Sequence, residues 1–315
     1  MSAIRDIKPK RSGVLGRIRG SLPLYLMVLP GLIYLIVNNY IPMGGIIIAF
    51  KQVNWNKGIL GSPWVGFSNF EYLFKTRDAW TITRNTIGYN LAFIILGTVM
   101  AIAIAILLSE IRSERMKKVY QTMYLMPYLI STVVVSYLAF ALLSIDSGFM
   151  NKTLLPAMGM QPIAWYTEPR HWPAILIITY LWKSFGYNSI IYYATLVGID
   201  YSYYEAAAID GATRWQQIRF VTLPALRPTI ITLTLLAVGR IFYSDFGLFY
   251  QVPMNSGPLI DVTNTIDTYV YRGLVQLNDL GMSSAAGVYQ SLVGFLLVLG
   301  ANYVVGKVDQ ENTLF

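Results

Sequence analysis

The sequence predicts an all-α integral membrane protein with six transmembrane helices and a short cytoplasmic helix between the fourth and fifth. Three observations carry that reading. Of the 315 residues, 55% are hydrophobic and only 13% charged, against about 25% charged in an average soluble domain. Six segments, 23–48, 86–109, 119–144, 172–199, 229–252 and 285–306, are apolar over the roughly 20 residues that a span requires. Lys and Arg are also unevenly shared between alternate loops. High apolar content and the absence of cysteine exclude a disordered chain, a disulfide scaffold, thiolate chemistry and Cys-ligated metals. The net charge of +8 comes from sparse residues placed mainly between spans. That pattern fits cytoplasmic loops facing anionic lipid and argues against a nucleic-acid footprint.

The chain opens with a basic tail, residues 1–20, holding Arg5, Lys8, Lys10, Arg11, Arg17 and Arg19. Segment one is too long for the apolar core of a signal peptide, about 7–15 residues, and is read as retained. Pro30, Asn38, Asn39 and Pro42 interrupt it, predicting a kinked helix. The loop 51–84 is external and carries Trp55, Trp64, Phe67, Phe70, Tyr72 and Phe74. These aromatics fit either a belt at the lipid headgroups or a docking surface. Segment two is the cleanest span, without an ionised side chain from Ile87 to Leu108. Counting Lys and Arg in alternate loops gives 14 on the side of the N-tail and eight on the other. Both termini are therefore expected in the cytoplasm, consistent with an even number of spans.

Reaction chemistry is scarce. The single histidine, His171, lies at the outer edge of span four beside Trp172 and reads as an interfacial residue, and one His cannot make an HExxH metal site. Gly300–Lys307 resembles a phosphate loop only superficially, with the wrong spacing, Val after the Lys, and a position at the end of span six. Asn151-Lys152-Thr153 is a formal glycosylation sequon of a kind common by chance.

The loop 200–228 is the informative one. Ala-rich 204–210 is a strong helix former, Glu205 near its start suits the helix dipole, and Gly211 suits a helix terminus or a close backbone approach. Trp215, Ile218 and Thr222 at helical spacing predict a second short amphipathic helix stopped by Pro224. The bland alternative, a helix lying on lipid, is weakened because three alanines and two acids attract anionic headgroups poorly.

Glu205-Ala206-Ala207, then Gly211, then Leu223-Pro224 resemble the EAA loop of binding-protein-dependent ABC importer permeases, with Val221 where the family's closing motif favours Ile. Further similarity to the sugar-uptake branch runs through Val65-Gly66-Phe67-Ser68-Asn69-Phe70, Arg84-Asn85-Thr86, Met126-Pro127 and Gly148-x-x-Asn151. The stretch from Gly239 through Asp245 to Tyr250-Gln251-Val252-Pro253-Met254 resembles permeases for oligosaccharides derived from polysaccharides such as alginate and pectin. The resemblance implies a type I ABC importer permease fold: first span and external loop in 21–84, permease core in 85–308, and a cytoplasmic tail in 309–315. It implies a transmembrane subunit that is not itself an enzyme, in a bacterial cytoplasmic membrane. Its partners would be a second homologous permease, two ATPase subunits and an extracytoplasmic sugar-binding protein. ATP and Mg would sit on the ATPase, with no cofactor on this chain. Glu205, Ala206, Ala207, Asp210 and Gly211 would form the ATPase-coupling segment.

Inside the spans, Lys183, Arg240 and Asp245 each cost about 2.5–3.5 kcal/mol on insertion scales. Arg240 and Asp245 are about 140° apart around a helix, a poor pair, so Lys183–Asp245 across spans is the better candidate for an ion pair. The alternative is a polar sugar path, with Trp182, Tyr187, Asn188, Tyr243, Phe246 and Tyr250 nearby. Aromatic faces stack on sugar rings, and amide, hydroxyl and cationic groups bond their hydroxyls. Aromatics at helical spacing serve packing equally well. A permease for a non-sugar solute shares the EAA loop. An ion-coupled secondary transporter lacks support, with no inverted repeat and one intramembrane carboxylate, and an intramembrane enzyme lacks a catalytic pair.

Overall fold

The computed structural model describes residues 21–308. The basic tail 1–20 and the tail 309–315 lie outside the described residues. Within them the fold is helical, and the only β pairing is an isolated bridge between Lys51 and Trp64.

The charge-free run of segment two forms the central helix. Here α1 is Leu22–Phe50, α2 is Ser68–Lys75 and α3 is Asp78–Ser109, 32 residues. Three apolar clusters are strung along α3. Ile82 packs with Leu73, Phe242 and Ile266; Tyr89 and Phe93 pack with Val135, Trp172 and Phe249; Ala101 and Ala105 meet Tyr192, Leu196 and Leu226. The two alanines lie one turn apart on one face, so α6 (Trp172–Val197) can approach closely, as small residues allow between membrane helices. Farther along, Phe93 stacks on Tyr180 of α6, centroids 3.8 Å apart and rings 13° from parallel. Gly186 of α6 rests on the backbone of Tyr124 in α4 (Glu114–Leu129), where any Cβ would collide with the Tyr124 carbonyl.

Four helices are long and apolar enough to cross a membrane: α1, α3, α8 (Arg214–Val238) and α11 (Leu280–Val308). A fifth span arises if α4 and α5 (Thr132–Leu143) count as one. Helix α6, with 26 residues, is long enough, but its polar stretch from Thr179 to Asn188 lowers its hydropathy. The structure thus supports four or five spans among the described residues, short of the expected six.

Two expectations are corrected. Segment 119–144 is not one straight helix but a pair bent by 92°. Ile130 adopts an extended conformation, and the Ser131 hydroxyl then caps α5 by accepting the Val134 N–H at 3.4 Å. Pro224 does not end a short helix: residues 214–238 form one helix with a π-turn at Ile218–Thr222. Pro224 falls at the start of the α-helical stretch beyond that turn, where a missing N–H costs least. The span therefore starts earlier than 229 and stops at Val238 instead of running to 252. Segment one is irregular as expected, passing through a π-turn at Ile36–Tyr40 and a 3-10 stretch at Gly44–Phe50. It buries only Ala49.

Beyond α8 the chain turns without regular helix over 239–245, then forms α9 (Phe246–Tyr250). The carbonyls released there are taken up by side chains from other helices. Asn90 of α3 donates Nδ2 to the carbonyls of Ile241 and Tyr243, at 2.9 and 3.0 Å. Gln290 of α11 donates Nε2 to the Phe242 carbonyl at 2.6 Å. Asp267 of α10 (Ile266–Val275) accepts both the N–H and the hydroxyl of Ser244 at 2.7 Å. Next to this, Asn85 donates to the carbonyls of Asp261 and Asn264, each at 2.9 Å. A buried carbonyl without a partner costs about 1–3 kcal/mol. Replacing buried Gln290 by Leu is therefore expected to destabilise the protein by about that amount. Ser291→Ala, which removes only an exposed bond to the Gly287 carbonyl, should be close to neutral. Thermal unfolding of both variants in one lipid or detergent distinguishes them.

Candidate functional site

The break between α4 and α5, the middle of α6 and the turn before α9 meet around a cavity of about 500 Å³. Helix α6 supplies a stripe of polar and aromatic side chains at three- and four-residue spacing: Thr179, Tyr180, Lys183, Ser184, Tyr187 and Asn188. Opposite stand Tyr128 from the end of α4, Thr132 from the start of α5, and Asp245. Tyr128 and Tyr187 stack with centroids 4.3 Å apart and rings 7° from parallel. The Lys183 ammonium donates to the Thr132 hydroxyl at 2.7 Å. Asp245 caps α9, its Oδ1 accepting the Leu248 N–H at 3.1 Å. Gly247 permits this closeness, since a Cβ there would stand 3.0 Å from the Thr132 methyl.

Of the expected path residues, Lys183, Tyr187, Asn188 and Asp245 come together in this cavity. The Lys183–Asp245 ion pair does not form; among the described residues no carboxylate comes within ion-pair distance of Lys183. The remaining five lie elsewhere. Phe246 and Tyr250 stack on each other at 5.0 Å and pack against Tyr271 of α10, with the Arg272 guanidinium 5.7 Å from the Tyr250 ring. They do not line this cavity. Trp182 and Tyr243 are exposed outside the cavity, and Arg240 is exposed in the turn. Because the helix ends at Val238, the expected angular relation between Arg240 and Asp245 does not apply. Sequence reading missed Tyr128, Thr132, Thr179, Tyr180 and Ser184. The 3–4 spacing along α6 was a signal for the last three, and Ser131-Thr132 as a helix start for Thr132.

The informative loop forms a second candidate surface. Helix α7 (Ser202–Ile209) begins where Asp200 accepts the Ser202 N–H at 2.9 Å, a bond that holds the Asp200 carboxyl below its usual range. It ends at Gly211, whose φ of +78° places it in the left-handed region. The Gly211 N–H reaches the Ala208 carbonyl at 3.1 Å and the Ala212 N–H that of Ala207 at 2.9 Å, a Schellman closure. The Thr213 hydroxyl then caps α8 in a capping box with Gln216. Glu205, Ala206, Asp210 and Gly211 are exposed and Ala207 half-buried. Ile209 is 87% exposed, with Tyr203 and Trp215 also outward. This apolar display was not foreseen, because the fall of Ile209 on the open face depends on where α7 stops. Arg214 ties the loop to the end of α3, 3.9 Å from Glu110.

The sites read as lacking chemistry are structural. Gly300–Lys307 lies inside α11, which leaves no loop to hold phosphate. Asn151 is buried and bonded to the Ser144 and Ile163 carbonyls, at 3.2 and 2.9 Å. His171 stands 3.6 Å from Glu168, and among the described residues no cluster could hold a metal ion.

Residues 94–308 match the model of a family described as the binding-protein-dependent transport system inner membrane component. The polygalacturonan/rhamnogalacturonan transport system permease protein YteP of Bacillus subtilis is 34% identical over 97% of this chain and 94% of its own length. Protein LplB of the same organism is 33% identical over 92% of this chain and 90% of its own. A crystal structure of a bacterial ABC transporter involved in the import of the acidic polysaccharide alginate contains a similar chain. It superposes with a TM-score of 0.86 at 31% identity, covering 94% of this chain and 99% of that one.

The space around Gly211 is open, since no atom lies within 4 Å of a Cβ built there, so its backbone angle is the only constraint. A β-branched residue in that conformation costs about 1–2 kcal/mol or more, whereas Asn tolerates it. Gly211→Val should speed amide hydrogen exchange in 207–213 by about 5–30-fold, and Gly211→Asn by less than about threefold. Exchange mass spectrometry of the loop peptide reads both.

Proposed function

The chain belongs to the family of inner-membrane components of binding-protein-dependent transport systems, and from that we propose that it is the permease subunit of an ATP-driven importer carrying an oligosaccharide into the cytoplasm. The cavity between α4, α5, α6 and Asp245 is its share of the path, and α7 with Gly211 is its seat on a separate ATPase. The observation that carries the reading is the coexistence of a polar, aromatic-lined cavity in the middle of the helices with a rigidly capped exposed helix joined to α8. Stacked Tyr128 and Tyr187 offer flat apolar faces to a sugar ring, and Lys183, Asn188 and Asp245 offer bonds to its substituents.

The partners follow from the same reading: a second permease to complete the path, two ATPase subunits and an extracytoplasmic binding protein that delivers the sugar. ATP and Mg bind the ATPase, and this chain holds no cofactor. The Lys and Arg asymmetry supports both termini in the cytoplasm, which puts α7 on the ATPase side. Glu205 and Asp210 face basic or polar groups of the ATPase, and Ile209 is the apolar anchor of the contact, since a few buried side chains dominate such interfaces.

Affinity purification of the tagged chain from its native membrane, with mass spectrometry, tests this. A second permease and an ATPase should co-purify. Ile209→Asp should reduce recovery of the ATPase by about 10-fold or more while retaining the second permease. A chain recovered alone would contradict the reading.

A further inference from the structure

A second cavity, of about 430 Å³, opens where the end of α3 and the start of α4 meet the α7 loop and α8. Its charged lining is three cations, Arg112, Lys117 and Arg214, to one carboxylate, Glu110. Glu110 lies 3.9 Å from Arg214, at the edge of ion-pair distance, and Arg112 makes no ion pair among the described residues. The Lys117 side chain is only 18% exposed, and the one carboxylate on it, Glu114 at 2.8 Å, is 76% exposed, which leaves the ammonium further donors. Adjoining this cavity is an apolar groove of about 180 Å³ between Ile104, Leu107 and Leu108 of α3, Ile111 just beyond its end, and Tyr120 and Tyr124 of α4. Ile111 lines both spaces. Lys117, Tyr120 and Tyr124 fall at i, i+3 and i+7 on one face of α4, so a single face carries the cation of the cavity and the rings of the groove. Leu107 and Tyr120 are exposed there, and α3 is a spanning helix whose outward side chains meet hydrocarbon.

We propose that these two spaces form one binding site for an anionic phospholipid, its phosphate held by Arg112 and Lys117 and a stretch of acyl chain lying in the groove. The direction fits. Helix α3 leaves the apolar span as it passes from Ile104 to Ile111, so the groove lies on the hydrocarbon side and the cations on the water side, in the order of a lipid's chain and head. Basic pockets between membrane helices suit anionic headgroups, and charge-assisted bonds to phosphate are about twice as strong as neutral ones. A zwitterionic lipid would bring a further cation into a space that already holds three to one. A soluble anion would use the cations and leave the groove empty. Diffuse attraction of basic loops to anionic lipid needs neither a slot for a chain nor a largely buried lysine. The opposite wall consists of Tyr201, Tyr204, Arg214 and Gln217, so a headgroup bonded to both walls holds the α7 loop against the end of α3. On the proposed orientation the lipid belongs to the cytoplasmic leaflet, but its binding does not depend on that orientation.

The full chain, with whatever subunits co-purify from its native membrane, provides the test. It is stripped of lipid in mild detergent and titrated with phosphatidylglycerol, phosphatidylcholine and glycerophosphoglycerol, and bound molecules are counted by native mass spectrometry. Phosphatidylglycerol should bind about 10-fold or more tighter than phosphatidylcholine. The double variant Arg112→Gln with Lys117→Gln should weaken phosphatidylglycerol by about 10-fold or more, while Arg112→Lys with Lys117→Arg keeps it within about threefold. Arg115→Gln with Lys118→Gln removes the same charge from the same stretch outside the cavity and should change binding by less than about twofold. Equal loss in the two glutamine variants would mean diffuse attraction and overturn the proposal. So would equal binding of the two lipids, loss in the charge-conserving variant, or unchanged binding in Arg112→Gln with Lys117→Gln. Displacement of phosphatidylglycerol by an equal concentration of glycerophosphoglycerol, its chain-free headgroup, would overturn the lipid and leave a site for a soluble phosphate. A chain that purifies without an ATPase contradicts the importer reading and leaves this test unchanged.

Discussion

Backbone that leaves the helix inside a membrane must find hydrogen bonds within the protein, because no water is there to supply them. The turn at 239–245 is where this chain meets that requirement. Asn90, Gln290 and Asp267, from three different helices, converge on the turn and satisfy its carbonyls and the Ser244 N–H. Helices α3, α10 and α11 are thereby tied to the same few residues, and the packing of Phe242 among Leu73, Ile82 and Ile266 follows from that arrangement. So does the position of Asp245, which emerges from the turn as the cap of α9 and as the acid of the cavity. A second break, at 130–131, opens the opposite wall and brings Thr132 to Lys183. The cavity exists because the chain is interrupted at 130–131 and at 239–245, and α6, which faces both breaks, is polar on that side.

The proposed transport cycle gains a physical route from the same geometry. Helix α8 runs without a gap from Arg214, one residue after the capped end of the α7 loop, to Val238, one residue before the turn. A displacement of α7 by an ATPase would be carried along a single 25-residue helix to the segment holding Asp245. The π-turn at Ile218–Thr222 is the irregular point on that helix, and such turns are frequent at functional sites. It is braced by a bond between the Tyr204 and Thr222 hydroxyls at 3.0 Å, which ties α7 directly to it. Mechanical continuity between α7 and the cavity thus depends on few residues, each of them held by local bonds.

Much of this was legible in the sequence because it depends on composition and short-range chemistry. The central span was plain from a long run without charge, and the α7 loop from its alanines, its glycine and the spacing to Leu223-Pro224. Lys183, Asn188 and Asp245 stood out as polar groups in apolar surroundings. Interruptions were harder to read. The bend after Leu129 follows Pro127 by several residues and occurs at Ile130, a residue with no turn preference. The continuation of α8 through Pro224 depends on a π-turn that shifts the hydrogen-bond register just before the proline. Once the helix was assumed to run to 252, Tyr243, Phe246 and Tyr250 read as neighbours of Asp245 along one path, with Arg240 left to another partner. The turn separates them, and the aromatics go to packing against Tyr271 instead. A hydropathy window sees only how apolar a stretch is on average, and over 229–252 the strongly apolar end of α8 masks the loss of helix after Val238.

The most direct test of the account is the location of the sugar in the assembled importer, imaged by cryo-electron microscopy with its binding protein and an oligosaccharide in a state that traps the cargo. The account predicts density for a sugar ring within about 4 Å of the Tyr128–Tyr187 pair and of Asp245, with the 239–245 turn still held by Asn90 and Gln290. Sugar density along a different face, with lipid filling the space between α4, α5 and α6, would contradict it.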